Sequence, residues 1–214
     1  MTLDRGPELA ALGDDVRRHL GAASGAREIA IPACRRTIQA CGKSIRAVHR
    51  RDPATAARLA DDAAAALREA QEALKPHPAL AASGPLHDAE KEYAEARLTA
   101  ALVDDAPLPT WVDLQVTASA WLGGLAEAAS ELRRHLLDRL RNGELAKAES
   151  LLEAMDEAYG LLVTVDYPDA VTGGLRRSTD ALRAVLERTR GDMTTTILQT
   201  RLQRALEQGL PEGP

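Results

Sequence analysis

Helix-breaking residues divide this chain into long stretches that show no strand pattern. The clearest boundaries lie at Pro53, Pro76, Pro78, Pro107, Pro109 and the pair Asn142-Gly143. Between these positions the sequence is rich in Ala, Leu and Arg, and aromatic residues make up only 2% of it, with no Phe. Such a composition favours helices and is poor in the residues that form strands. The sequence therefore predicts an all-α fold.

The boundaries predict seven helices in an antiparallel bundle. They lie at about 7–50, 53–75, 86–103, 110–142, 144–163, within 166–190 and at 192–208. The first stretch contains Gly21, Gly25, Pro32 and Gly42, so it is either one long helix with irregularities or two helices in series. We expect a single helical domain over residues 1–208 and a disordered tail at 209–214.

Composition and charge narrow the class of protein. Apolar residues make up 45% and charged residues 28% of the chain, as in a folded globular protein. The net charge of -5 argues against a basic exterior built for duplex DNA. Cys34 and Cys41 are expected to be reduced thiols. No secretion signal or membrane-spanning run is visible, so we expect a cytoplasmic protein with no membrane partner.

Four carboxylates stand out by their spacing. Glu92 and Glu95 lie three residues apart in the third predicted helix, and Glu127 and Glu131 lie four apart in the fourth, so each pair projects from one helix face. If the two helices are antiparallel neighbours, the four side chains can converge and hold Mg²⁺ or Mn²⁺, which prefer carboxylate oxygens. The alternative is that these acids form solvated helix faces or pair with nearby Arg and Lys.

Other kinds of site find less support. A di-iron bundle needs Glu-x-x-His pairs, and the residue three after Glu131 is Arg134. No Gly-rich phosphate loop is present. The histidines show no metal-ligand spacing and are interpreted as surface or capping residues; they are His19, His49, His77, His87 and His135.

Paired arginines are the second functional feature, because the planar guanidinium group donates two hydrogen bonds to a phosphate. The alternative for any one pair is an ion pair with an acid of a neighbouring helix. The candidate nucleic-acid-binding residues are Arg35, Arg36, Arg133, Arg134, Arg176 and Arg177.

Several ordered motifs between about residues 27 and 194 resemble the translin family, especially its prokaryotic branch. The segments 27–36 and 45–50 are similar to the family's N-terminal helix, and 92–96 (EYAEA) looks like its E-Y-x-E-A motif. The segment 121–134 looks like its Y-L-x-G-x-A-D-x-x-x-E-L-R-R helix, with Trp121 for Tyr and Glu127 for Asp. The segments 166–177 and 187–192 resemble its C-terminal block.

This resemblance implies a seven-helix subunit that assembles into a closed, hollow homo-oligomer, a hexamer or an octamer. It implies binding of single-stranded RNA, with single-stranded DNA as a further candidate. The family's catalytic carboxylates carry over onto Glu92, Glu95, Glu127 and Glu131, and possession of all four is similar to the branch of translin-associated factor X, a Mg²⁺-dependent endoribonuclease. Glu127 in place of Asp lengthens the reach of the carboxylate by one methylene group.

Three functions remain open at this point. The first is a metal-dependent endoribonuclease acting on single-stranded RNA, with Mg²⁺ or Mn²⁺ as cofactor. The second is a shell that binds single-stranded RNA or DNA without cleaving it. The third is a structural subunit of a hetero-oligomer with a paralogous chain.

Overall fold

The computed structural model describes residues 5–82 and 84–209. It is 84% helical and contains no strand among these residues, so the predicted all-α fold is confirmed. The helices of the described part are α1 (Gly6–His49), α2 (Pro53–Leu74), α3 (Pro78–Ala81), α4 (Gly84–Val103), α5 (Ala118–Arg141), α6 (Leu145–Val163), α7 (Asp169–Thr172) and α8 (Leu175–Gly209). Six of them are long, and α3 and α7 have four residues each.

The first predicted stretch is one continuous helix of 44 residues. Pro32 lies inside α1, where its ring removes one backbone hydrogen bond to the carbonyl of Glu28. Pro32 is exposed while Ala33 and Cys34 are buried, so the freed carbonyl faces the solvent side and water can satisfy it. The helix therefore continues through the proline. The part of α1 before Ala30 is largely exposed and projects from the bundle.

Two predicted helix boundaries differ from the structure. The fourth predicted helix begins at Ala118 instead of near 110, because Asp113 accepts hydrogen bonds from the backbone and side chain of Thr110 in a turn, and Thr117 caps α5. The sixth and seventh predicted helices are one helix, α8, which runs through Gly191 with Met193 buried against the core. Of the predicted tail 209–214, Gly209 ends α8 and residues 210–214 lie outside the described part.

Helix directions are mixed. The hairpins α1–α2 and α5–α6 are antiparallel, as short connections require. By contrast, α4 and α5 run side by side in the same direction: Thr117 at the start of α5 hydrogen-bonds Glu90, and farther along His135 lines the same cavity as Ala100. The loop 104–117 makes this possible by returning along α4. The antiparallel arrangement predicted from the sequence is therefore wrong for α4 and α5.

Small residues set the distance between α4 and α5. Gly124 of α5 is buried, and a Cβ atom there would lie 2.7 Å from the Ala94 Cβ, 2.8 Å from the Glu95 nitrogen and 2.8 Å from the Lys91 carbonyl oxygen. Only glycine fits this approach, so the two helix backbones nearly touch. The close contact places the acidic residues of both helices next to one another. Among the described residues, no helix has the length and hydrophobicity that crossing a bilayer requires.

Candidate metal centre

Three of the four predicted carboxylates converge between α4 and α5. Glu92, Glu95 and Glu127 each offer a carboxylate oxygen, and these three oxygens lie within 4.8 Å of one another. Glu95 is buried, with 9% of its surface exposed, and the other two are partly buried. We call these three residues the acidic cluster. Oxygens around one Mg²⁺ or Mn²⁺ lie up to about 4.2 Å apart, so small side-chain movements suffice for a shared ion.

Glu131, the fourth predicted carboxylate, lies one turn farther along α5 and is held by α1. Its Oε2 atom is 2.7 Å from His49 Nε2, so the imidazole donates and the carboxylate accepts. The negative charge of Glu131 still reaches Glu95, where it helps to raise the pKa of that carboxyl group. Glu131 therefore borders the acidic cluster without belonging to the set of three.

A pair of histidines lies behind Glu131. His49 Nδ1 is 2.9 Å from His135 Nε2, and both rings are buried. Burial, followed by the nearby His49, lowers the pKa of His135 to about 4, so this ring is neutral at pH 7. A neutral His135 donates from Nε2 to His49 Nδ1, and His49 in turn donates from Nε2 to Glu131. The interpretation of these two histidines as surface or capping residues is wrong. The position of His135, four residues after Glu131 on the same helix face, was the available signal.

Burial, together with the neighbouring like charges, controls the ionisation of the acidic cluster. Burial, then the charges of Glu127, Glu92 and Glu131, raise the pKa of Glu95 to about 8. Burial also raises the pKa of Glu92. Glu95 therefore retains a proton at pH 7 when no metal ion is bound, and a divalent cation that takes the place of this proton would neutralise the cluster more completely. The donor set, three carboxylates with no sulfur or imidazole, fits a hard cation such as Mg²⁺ or Mn²⁺.

The stability of the metal-free protein is expected to fall between pH 6.5 and pH 8. In this window the unfolded chain has lost the Glu95 proton, because the ordinary pKa is 4.5, whereas the folded pKa of about 8 keeps it bound. The stabilising contribution is complete below the unfolded pKa and is lost as the pH rises to the folded one. The expected loss is about 1.4 kcal/mol per pH unit and about 2 kcal/mol over the window. Urea unfolding in EDTA at the two pH values measures it.

Between pH 6.5 and pH 8 the titration of His135 does not interfere. Its lowered pKa reduces stability only as the pH falls below the ordinary value of 6.5. Glu95→Gln is the control, because it has no proton to lose at this position. Its stability is expected to change by about 2 kcal/mol less than that of the wild type over the same window. Equal changes in both proteins would contradict the assignment.

The predicted phosphate-binding arginines lie in three separate places. Arg35 and Arg36 are on the exposed side of α1, where Arg36 pairs with Glu69 at 2.6 Å. Arg176 and Arg177 are exposed at the start of α8. The third pair is Arg133 and Arg134 on α5, which line a groove together with Glu131.

A groove of about 590 Å³ runs past Glu131 and is lined by three arginines. Arg134 and Arg141 are exposed in it. Arg133 is partly committed elsewhere, since its guanidinium group lies 2.7 Å from Asp192 and 2.9 Å from the Thr189 hydroxyl, which ties α5 to α8. The groove therefore brings positive charge next to Glu131, the residue that borders the acidic cluster. Arg141 was not predicted, although it continues the series Arg133, Arg134 along one helix.

No protein-family model matches the chain. Among curated proteins it is similar to an uncharacterized protein of Methanocaldococcus jannaschii, with 29% identity over 187 residues that cover 85% of this chain and 81% of the relative. Among solved structures it is similar to the crystal structure of AfC3PO, with 29% identity, a TM-score of 0.79 and coverage of 87% of this chain and 97% of that chain.

Two more solved structures extend this result. An AfC3PO complex with duplex RNA matches at 29% identity and a TM-score of 0.68, covering 87% of this chain and 96% of that chain. The crystal structure of apo-NeC3PO has 18% identity and a TM-score of 0.74, covers 92% of this chain and 99% of that one, and shows that the fold is shared. Together with the all-helical fold, these matches to C3PO structures support the resemblance to the translin family that the sequence motifs indicate.

Proposed function

We propose that this protein is a metal-dependent endoribonuclease that acts on single-stranded RNA. The observation that carries the proposal is the acidic cluster: three carboxylates from two closely packed helices meet at a partly buried point, where a single divalent cation would have an oxygen ligand from each of them. The similarity to C3PO, an RNA-binding endoribonuclease complex, supports the same reaction class.

Glu92, Glu95 and Glu127 would hold Mg²⁺ or Mn²⁺. A divalent ion in such a site supplies Lewis acidity, which lowers the pKa of a water molecule and offsets charge on a phosphate. Glu131 binds His49 through one oxygen and its side chain is 37% exposed, so its second oxygen would be the one to accept a proton from the attacking water. His49 and His135 fix the orientation of that carboxylate.

The groove beside Glu131 is the proposed path of the RNA backbone. Arg134 and Arg141 would contact phosphates there. Arg133 would hold α5 against α8 through its ion pair with Asp192. The remaining predicted residues, Arg35, Arg36, Arg176 and Arg177, lie at other surfaces and would contact RNA only through more distant parts of the strand or through neighbouring subunits.

We further propose that the chain works as a closed homo-oligomer, a hexamer or an octamer. The projecting part of α1 carries an exposed apolar stripe at helical spacing, formed by Leu9, Leu12, Val16 and Leu20. The end of α8 carries a second, formed by Leu198, Leu202 and Leu206. Apolar stripes of this size call for covering surfaces, and the similarity to AfC3PO supports a multi-subunit assembly.

Incubation of the purified protein with end-labelled, unstructured RNA tests the proposed activity. Cleavage is expected with Mg²⁺ or Mn²⁺ and is expected to stop in EDTA, and light scattering is expected to give a mass of six or eight chains. Duplex RNA and single-stranded DNA of the same sequence serve as comparison substrates, because an AfC3PO structure contains duplex RNA. Absence of product from every substrate with either ion would overturn the proposal.

A non-catalytic RNA-binding shell is the second candidate. Its support is that the acidic cluster is already compensated without a divalent ion, since Glu95 retains a proton and the Lys91 ammonium group lies 2.7 Å from Glu127. A salt-sensitive gel shift that is independent of metal, with no product after long incubation, would select this function.

A further inference from the structure

Lys91 inserts a positive charge into the acidic cluster. Its Nζ atom lies 2.7 Å from Glu127 Oε1, and 25% of its side chain is exposed. Burial lowers the pKa of Lys91, but the hydrogen bond to Glu127 and the charges of Glu127, Glu92 and Glu95 outweigh this and raise the pKa. The side chain is therefore a cation at neutral pH. It forms an ion pair with Glu127, one of the three carboxylates that would bind a metal ion.

Helix α5 has a glycine at the point where it faces the Lys91 side chain. Gly123 of α5 lies one turn before Glu127, and a Cβ atom there would come within 3.2 Å of the Lys91 Cγ and Cδ atoms. The missing side chain leaves a slot in which the aliphatic part of Lys91 crosses α5. The ammonium group is thus directed along α5 to Glu127 and kept from open solvent.

We propose that Lys91 is a resident counter-ion that competes with the divalent cation for Glu127 and thereby sets the metal affinity of the acidic cluster. This inference rests on the metal centre of the proposed function. A divalent ion on either oxygen of Glu127 would lie within a few ångströms of the ammonium group, and like charges at such a distance repel strongly in a partly buried site. Metal binding therefore opposes the contact between the Lys91 ammonium group and Glu127.

Removal of the lysine charge favours the metal ion over the proton. Without the ammonium group the cluster becomes more negative, which strengthens the binding of the metal ion and of the proton. The metal ion carries two charges and the proton one, so the ion gains more from the same change in potential. Metal affinity is therefore expected to rise when the charge of Lys91 is removed.

Calorimetric titration of MnCl₂ into the full-length protein at pH 8 tests this inference. Lys91→Met keeps most of the unbranched side chain and removes its charge, and its Kd for Mn²⁺ is expected to be at least about tenfold lower than that of the wild type. Lys91→Arg keeps the charge and is expected to stay within about threefold. Lys147→Met is the matched control, since Lys147 is an exposed lysine paired with Glu144, and its Kd is expected to be unchanged.

A purely structural salt bridge between α4 and α5 makes the opposite prediction. In that case Lys91→Met loosens the helix pair, and Mn²⁺ binding is unchanged or weaker. Either result overturns the inference, as does the absence of Mn²⁺ binding in both proteins. Should Lys91→Met fail to fold by circular dichroism, Lys91→Gln gives the same comparison.

Failure of the role inferred for Lys91 can be distinguished from failure of the proposed nuclease activity. If the wild type binds Mn²⁺ but cleaves no RNA, the nuclease proposal fails, whereas the comparison of Kd values still decides the role of Lys91. If RNA is cleaved, the Mn²⁺ concentration for half-maximal cleavage is expected to fall in Lys91→Met in parallel with the Kd. An unchanged half-maximal concentration contradicts the competition.

Discussion

Glu95→Gln is expected to reduce the rate of RNA cleavage by about a thousandfold without unfolding the protein. The amide has nearly the same shape as the carboxyl group, so the packing between α4 and α5 is retained, but the acidic cluster loses one of the three carboxylates that would bind the metal ion. Metal ions contribute several kcal/mol to the stabilisation of a phosphoryl transition state, and each 1.36 kcal/mol is a factor of ten in rate. Single-turnover cleavage of labelled RNA at a fixed Mn²⁺ concentration measures the effect.

Glu149→Gln is the matched control for this experiment. Glu149 is an exposed acid on α6, outside the acidic cluster, and its substitution changes the net charge by the same amount. We expect wild-type cleavage from this variant and the same oligomer mass from both. A Glu95→Gln protein that cleaves within about tenfold of the wild type would show that the metal centre is assigned to the wrong residues.

Gly124→Ala is expected to lower the free energy of unfolding by about 3 kcal/mol. Alanine normally favours a helix interior over glycine by about 1 kcal/mol. Here, however, the new methyl group would lie within 2.8 Å of the Glu95 nitrogen and the Lys91 carbonyl oxygen, which are backbone atoms and cannot turn aside. The helices must separate, and overpacking of this kind costs up to about 3 kcal/mol or more. Urea unfolding measures the loss.

Gly160→Ala is the control for the packing argument. Gly160 is exposed inside α6, and a Cβ atom there would meet nothing within 4 Å. This substitution is expected to stabilise the protein by about 0.5–1 kcal/mol. A Gly124→Ala variant as stable as Gly160→Ala would mean that α4 and α5 are not packed as described. Weaker Mn²⁺ binding by Gly124→Ala is also expected, because the carboxylates of the two helices move apart.

Residue spacing in the sequence predicts only part of the acidic cluster. Glu92 and Glu95 share a helix face because they are three residues apart, and this holds whatever the helix packs against. The meeting of that face with Glu127 depended on the direction and closeness of α4 and α5. The expected antiparallel arrangement and the observed parallel one both bring helix faces together, but only the observed one joins Thr117 to Glu90 and places Glu131 beside His49.

Local chemistry along the chain determined the helices of this protein and most of their ends. Breakers, caps and Ala-rich composition act within a few residues, so Pro53 and Asn142-Gly143 marked true boundaries, and the ordered motifs indicated the translin family. The tertiary structure alone decided which charges meet. Burial of Glu95, the slot at Gly123 that guides Lys91, and the pairing of His49 with His135 join residues far apart in the chain, and no local pattern encodes such contacts.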